Sequence, residues 1–342
     1  MSGIPRRTLG LGGVEVTELS FGAAGLGNLY TPITDEEAVA ALDAAWDEGI
    51  RYFDTAPHYG IGLSERRLGE ALRARPRETY TLSTKAGRLL EERLPEAVPG
   101  PVADGLDHGF AVPATHRRVW DFSADGIRRS LEASLTRLGL DRVDIVYLHD
   151  PDDHAEQAFR EGYPALERLR SEGVIGAIGA GMNQTAMLTR FVRDTDVDAV
   201  LCAGRYTLLD QSALTDLLPA AQERGRAVVI GGVFNSGLLA DPRPGATYDY
   251  TTAPRALLDR ARHLKAMAER HGTTLRAAAL AFPLAHPAVA TVLVGARSPY
   301  EVRDAAAQFS AAVPAGFWQE ARAEGLLPAH VPVPVLPGED PE

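Results

Sequence analysis

The chain is predicted to fold as an α/β protein, a (β/α)8 TIM barrel with an N-terminal β-hairpin before it and long βα loops at its C-terminal face. Three observations predict this. Short apolar, β-branched runs alternate with longer segments of helical periodicity, and the alternation repeats eight times along 342 residues. Those runs are mostly apolar, as strands of a parallel sheet covered on both faces are. No G-x-G-x-x-G follows the first run: Gly22-Ala23-Ala24-Gly25-Leu26-Gly27 has the wrong glycine spacing for the dinucleotide loop of an open, doubly wound sheet, the next-best architecture.

Taken in order, strands are expected over residues 18–22, 52–54, 81–84, 145–149, 175–180, 199–202, 227–230 and 291–294. The clearest helices span 35–48, 64–72, 125–138, 164–172, 185–192, 214–224 and 299–307, most of them opening with an acid or hydroxyl that can cap free amides. Thr8-Leu9-Gly10 and Val14-Glu15-Val16 flank Gly12-Gly13 as a small hairpin placed to plug the barrel floor. Two stretches break the rhythm, 87–122 and 234–253, and both read as long βα loops. In a barrel such loops sit at the catalytic face, so they are expected to form substrate walls. The division is a barrel over 1–327 and a proline-rich tail over 328–342, which Pro328, Pro332, Pro334, Pro337 and Pro341 keep from forming helix.

Composition excludes several function classes. Hydrophobic residues make up 45% and charged residues 24%, the balance of an ordinary globular protein. Asp and Glu outnumber Lys and Arg by 46 to 35, a net charge of -11 that has the wrong sign for nucleic acid. The single cysteine, Cys202, allows no internal disulfide, no apolar run is long enough to span a membrane, and residues 1–21 lack a signal-peptide pattern, so a cytoplasmic protein is expected. Oligomeric state is left open.

Four polar residues fall at or just past the ends of the second, third and fourth strands: Asp54, Tyr59, Lys85 and His149. Those ends converge on one pocket in a barrel. Hydride transfer needs a group that exchanges a proton with the substrate oxygen, and a tyrosine can do this if an adjacent ammonium favours its phenolate. Lys85 is the candidate ammonium, Asp54 its counter-charge, and His149 the group that orients the substrate oxygen. Plainer roles stand beside these: Asp54 as a turn acid, Tyr59 as a half-buried aromatic. Lys85 is harder to explain that way, because an unpaired lysine ending an apolar strand costs several kcal/mol. Asp150, Asp152, Asp153 and His154 after His149 read as a solvated Pro-Asp turn and helix cap rather than metal ligands, so no metal is expected.

At these positions the sequence resembles the aldo-keto reductase superfamily. The likeness is carried by Gly49-Ile50-Arg51-Tyr52-Phe53-Asp54-Thr55-Ala56, by Tyr59-Gly60 and Ser64-Glu65, and by Ser134-Leu135-Thr136-Arg137-Leu138-Gly139-Leu140-Asp141-Arg142-Val143-Asp144 leading into Leu148-His149. It implies that Asp54, Tyr59, Lys85 and His149 are the catalytic tetrad, with Tyr59 as acid/base. Trp120-Asp121-Phe122-Ser123, His149-Asp150-Pro151-Asp152-Asp153 and Gly179-Ala180-Gly181-Met182-Asn183-Gln184 resemble more closely the branch of D-threo-aldose 1-dehydrogenases, L-fucose or galactose dehydrogenases and pyridoxal 4-dehydrogenases. In that likeness Trp120, Asp121 and Asp150 join Tyr59 and His149 as substrate-binding candidates, with His108, His116 and Arg117 on the same loop.

The resemblance also implies NAD or NADP, lying across the barrel mouth. Gly22 and Asp54 are then expected beside the nicotinamide, with Asn183 near its amide; where many members stack a tyrosine, this chain reads Gly231-Gly232-Val233-Phe234, which leaves the stacking partner open. Asn235, Ser236, Gly237 and Leu239 resemble the pyrophosphate clasp, where small residues let backbone amides approach the anion. Gly295, Arg297, Ser298 and Glu301 are expected at the adenosine end, and the carboxylate of Glu301 tips the expectation to NAD. The implied reaction is oxidation of an aldose of the L-fucose, D-arabinose or galactose type at C1 to its lactone. Alternatives are a pyridoxal 4-dehydrogenase, a broad NADPH-dependent aldehyde reductase, and, from another class, a non-catalytic nicotinamide-sensing regulatory subunit.

Overall fold

A computed structural model describes residues 3–10, 13–93, 108–249 and 251–334. The chain opens with β1 (Arg6–Leu9) and β2 (Val14–Thr17), then β3 (Leu19–Gly22), α1 (Asp35–Asp47), β4 (Tyr52–Asp54), α2 (Leu63–Leu72) and β5 (Thr81–Ala86). Next come β6 (Arg88–Glu92), β7 (His116–Trp120), α3 (Ala124–Leu138), β8 (Ile145–His149), the single turn α4 (Ala155–Gln157) and α5 (Tyr163–Ser171). Then follow β9 (Ala177–Met182), α6 (Thr185–Asp194), β10 (Ala199–Ala203), α7 (Leu217–Glu223), β11 (Ala227–Gly231), β12 (Thr247–Tyr248) and β13 (Thr251–Thr252). The last elements are α8 (Arg255–Arg270), α9 (Leu275–Leu284), β14 (Val289–Gly295), α10 (Pro299–Ser310) and α11 (Ala315–Ala323).

Eight strands close into a parallel barrel in the order β3-β4-β5-β8-β9-β10-β11-β14, as expected from the alternation. Successive side chains on a strand point to opposite faces. Phe21, Phe53, Leu82, Val146 and Leu148 therefore turn outward into the layer packed under the helices. Tyr52, Ile145, Tyr147, Leu201 and Val229 turn inward and fill the barrel, together with Leu9 and Val16 of the hairpin. The hairpin closes the floor: Arg7 donates to Val289 O at 2.8 Å and Thr81 Oγ1 to Glu15 O at 2.6 Å, both at strand beginnings.

Helix starts follow their capping residues. Thr34 and Glu37 form a reciprocal capping box on α1, and Ser123, Thr274 and Ser298 cap α3, α9 and α10. The structure departs from the sequence reading in three places. The stretch 87–122 is not a plain loop: β6 and β7 pair antiparallel within it. The stretch 234–253 holds the short β12–β13 ladder. The crossover from β11 to β14 carries two helices, α8 and α9, and α11 follows the barrel; none of the three is among the helices read from the sequence. Of the expected tail, Val331 is fully buried and its carbonyl accepts from Arg322 at 2.7 Å, while residues 335–342, like residues 11–12, lie outside the described residues.

Arg67 of α2 ties the segment after β3 to the wall behind Tyr59. Its buried guanidinium donates to Leu26 O, Asn28 Oδ1 and Ile33 O, each at 2.8 Å, and to Asp35 Oδ1 at 2.7 Å. Replacing Arg67 by alanine strands buried acceptors, so it should lower unfolding stability by about 3 kcal/mol. Urea denaturation checks this, and a midpoint equal to the parent's would refute the account.

Candidate functional site

Asp54, Lys85 and His149 occupy inward-facing positions at the C-terminal ends of adjacent strands β4, β5 and β8, which is why the alternation along each strand delivers them to one point. Tyr59 arrives from the loop after β4. That loop is pressed against the segment after β3: Gly60 has φ 61°, and a Cβ there would lie 2.3 Å from Gly27 O, so only glycine permits the approach.

The four side chains meet. Lys85 Nζ donates to Asp54 Oδ2 at 2.6 Å, to Thr55 O at 2.9 Å and to Tyr59 Oη at 3.2 Å. Ser83 Oγ donates to the other Asp54 oxygen at 2.7 Å, and it is linked through Tyr52 Oη at 3.0 Å to Tyr147 Oη a further 3.2 Å on. The imidazole of His149 stands edge-on to the Tyr59 ring, centroids 6.1 Å apart. Burial works against the Lys85 ammonium, but the Asp54 carboxylate and then the Tyr59 oxygen outweigh it and hold the lysine above its ordinary range. Burial, then Arg88, Lys85 and His58, drives His149 well below its ordinary value, so the imidazole is neutral. An ammonium in contact with a phenol, beside a neutral imidazole, is an arrangement that can take a proton from a hydroxyl or return one to a carbonyl oxygen.

Beside this cluster lies a cleft of about 530 Å³ lined by Gly22, Asp54, Tyr59 and Asn183 at its inner end. Phe234, Asn235, Ser236 and Gly237 follow β11 along it, and Gly295, Arg297 and Glu301 line the far end. Most cofactor candidates therefore share one cavity. Leu239 is instead buried in the core, and Ser298 uses its hydroxyl to cap α10, accepting from Glu301 N at 3.2 Å. The residues present fit a dinucleotide: among the described residues, Asn235 Oδ1 is buried without a hydrogen-bond partner and a Cβ on Gly237 would meet nothing within 4 Å, leaving that backbone open to a ligand. Glu301 accepts from Arg297 N at 2.7 Å and from its guanidinium at 3.3 Å, so acid and base neutralise each other at the far end of the cleft.

The substrate candidates separate. Asp150 lies 3.7 Å from His149 Nε2 and pairs with Arg88, whose guanidinium sits over the Trp120 ring at 4.9 Å. Asp121 is engaged elsewhere, accepting from Ser123 N at 3.0 Å and from Arg129 at 2.8 Å beside the start of α3. His108 packs edge-on against His58 at 6.2 Å, whereas His116 bonds to Thr115 at 2.9 Å and Arg117 to Glu91 at 2.9 Å, away from the tetrad. Sequence reasoning missed His58, Arg88 and Arg118, which crowd the same mouth; His58 stood next to Tyr59 in the sequence as the one available signal.

A closed parallel barrel with this polar cluster at its C-terminal mouth defines an oxidoreductase class, and comparison with known proteins states which. Residues 18–323 match the Aldo/keto reductase family, and the chain belongs to it. It is an oxidoreductase of a family that uses nicotinamide dinucleotides and acts on small carbonyl and sugar substrates. Among its relatives, D-threo-aldose 1-dehydrogenase of a Pseudomonas species is 46% identical over 92% of this chain and 96% of its own. Pyridoxal 4-dehydrogenase of Microbacterium luteolum is 42% identical, over 94% of this chain and 98% of its own. An aldo-keto reductase from Bacillus halodurans in its holo form superposes with a TM-score of 0.73 at 28% identity, covering 96% of this chain and 98% of its own. Among the described residues no helix is long and apolar enough to cross a membrane.

Proposed function

We propose that the enzyme oxidises an aldose at its anomeric carbon to the lactone, with NAD as the preferred cofactor. The observation that carries the substrate class is the 46% identity to a D-threo-aldose 1-dehydrogenase across nearly the whole of both chains. When bound, the nicotinamide supplies the two-electron acceptor. Tyr59 Oη takes the proton of the C1 hydroxyl, helped by the Lys85 ammonium 3.2 Å away, which favours the phenolate form. Asp54 keeps Lys85 charged and aimed. His149, neutral, offers the substrate oxygen a hydrogen bond without competing for the Tyr59 proton. Trp120 and Asp150 flank the substrate, and the loops carrying Asn183, Phe234 to Gly237, and Gly295 to Glu301 hold the cofactor.

The preference for NAD is supported by Glu301: it occupies Arg297, which would otherwise serve a 2′-phosphate, and adds a carboxylate that accepts from free ribose hydroxyls. The lone Cys202 and the acidic surface fit a cytoplasmic setting. Residues 1–327 are the catalytic unit in this reading.

The test follows reduction of NAD and of NADP spectroscopically with L-fucose, D-galactose, D-arabinose and pyridoxal. Aldose turnover with NAD at least tenfold above NADP in kcat/KM is expected, a gap of about 1.4 kcal/mol. Turnover of pyridoxal alone would transfer the site to the chemistry of the second relative, and reduction of simple aldehydes alone would overturn the dehydrogenase reading.

A further inference from the structure

Two arginines, Arg118 buried and Arg88 nearly so, reach the barrel mouth from the β6–β7 ribbon, and neither belongs to the tetrad. The ribbon pairs Arg88 with Trp120 and Leu90 with Arg118. Directly paired residues and their i+2 neighbours share one face of an antiparallel ladder, so Arg88 and Arg118 project to the same side. Arg88 is 11% exposed and Arg118 9%. Burying two guanidinium groups is costly unless each finds good partners. Arg88 binds the Asp150 carboxylate. Arg118 Nε donates to His58 Nδ1 at 2.7 Å, and its Nη2 donates to His58 O at 3.3 Å.

The contact from Arg118 Nε to His58 Nδ1 fixes a tautomer. A guanidinium has donors and no acceptor, so the Nδ1 it approaches must carry the lone pair, and the ring proton of His58 resides on Nε2. The His58 ring lies 5.8 Å from that of His149, while Asp150 lies 3.7 Å from His149 Nε2. A fixed N–H donor and a fixed carboxylate acceptor thus flank the imidazole that faces Tyr59. Asp150 is held in place through a left-handed backbone, φ 42°, with its N–H on Gly181 O at 3.0 Å. A sugar hydroxyl both donates and accepts, so a donor beside an acceptor can hold neighbouring hydroxyls.

We propose that Arg88 and Arg118 are positioning residues that present Asp150 as an acceptor and His58 as a neutral N–H donor to vicinal hydroxyls next to the reacting carbon, making the ribbon the element that selects polyhydroxylated substrates. This rests on the aldose reading above. The groups facing His58 are Tyr59, Phe110, His108, His149, Arg88, Arg118 and Lys85. Burial first, then Arg88, Arg118, His108 and Lys85, press its imidazole down to about 2.

The experiment has two arms on the full chain. Histidine-¹⁵N NMR, with His58→Gln for assignment, should show His58 as the Nε2–H tautomer throughout pH 5–8, and Arg118→Met, which removes the donor held on Nδ1, should release that lock and let the Nδ1–H tautomer appear. In kinetics, the parent should favour an aldose over its 2-deoxy analogue by about 100-fold in kcat/KM, and Arg88→Met or Arg118→Met should cut that preference at least tenfold, chiefly through KM. Arg118→Lys, still a donor-only cation, should restore part of it, and Arg117→Met, exposed and paired with Glu91, should change nothing. Should Arg118→Met fail to fold, the tautomer of the parent decides. Titration of His58 near 6.5 in the parent overturns the proposal, as does an undiminished hydroxyl preference in both ribbon variants while aldoses are still oxidised. Absence of any aldose turnover overturns the functional reading and this inference together.

Discussion

Replacing Tyr59 by phenylalanine is expected to lower kcat for aldose oxidation by about 10²- to 10⁴-fold, the usual worth of a positioned acid/base, with little change in KM. The substitution removes one atom and little else. The ring still packs against Phe110, centroids 6.0 Å apart, and the Lys85 ammonium still sits 4.8 Å from the ring centre. What is lost is the oxygen to which Lys85 donates at 3.2 Å, and with it the place for the substrate proton. Thermal unfolding should stay close to that of the parent, which separates lost chemistry from lost fold. Steady-state kinetics with each active substrate check the expectation; undiminished turnover would remove Tyr59 from the role assigned to it.

How far the site could be read without coordinates depends on which physical rule delivers each residue. Asp54, Lys85 and His149 end strands, and a period of two along the chain puts strand-end residues on a definite face; once eight strands are recognised, convergence at the barrel mouth follows. Tyr59 needs one more fact, the close approach at Gly60, which the Tyr59-Gly60 pair hinted at. The contacts of Arg88 and Arg118 had no such signal. Both lie in a stretch of mixed charge and many prolines and glycines, where no periodicity marks the β6–β7 pairing, and their partners Asp150 and His58 stand 62 and 60 residues away. Helix α9, with the sequence LRAAALAFPL, escaped for the opposite reason: it is apolar nearly all round, so no stripe announces a helix. Glu301 shows a further limit. Its charge was legible, but not its engagement with the amide and guanidinium of Arg297, which turns an isolated carboxylate into half of an ion pair.

Exchange of Lys85 for methionine should damage stability and chemistry together, in ways that depend oppositely on pH. In the parent the lysine is held above its ordinary range, so the stabilisation it contributes is complete below the unfolded value of about 10.4 and is lost only as pH rises through the still higher folded value. Across neutral pH the pair is therefore intact. Methionine has nearly the same length but leaves the Asp54 carboxylate, 3% exposed, with the Ser83 hydroxyl as its remaining hydrogen-bond donor of known distance, 2.7 Å. Removing one partner of a buried ion pair costs about 3–5 kcal/mol, and that loss is expected at pH 7. A lone buried carboxylate is cheaper to bury once protonated, so the stability gap between variant and parent should narrow on acidification. Activity should move the other way. Without the ammonium that favours its phenolate, Tyr59 takes up the substrate proton less readily, so what oxidation remains should shift to higher pH than in the parent. Urea midpoints at pH 5 and 7 and a pH profile of kcat/KM read both effects. A variant with the parent's midpoint at both pH values and the parent's profile would mean that Asp54, Lys85 and Tyr59 are not the coupled unit their 2.6 Å and 3.2 Å contacts describe.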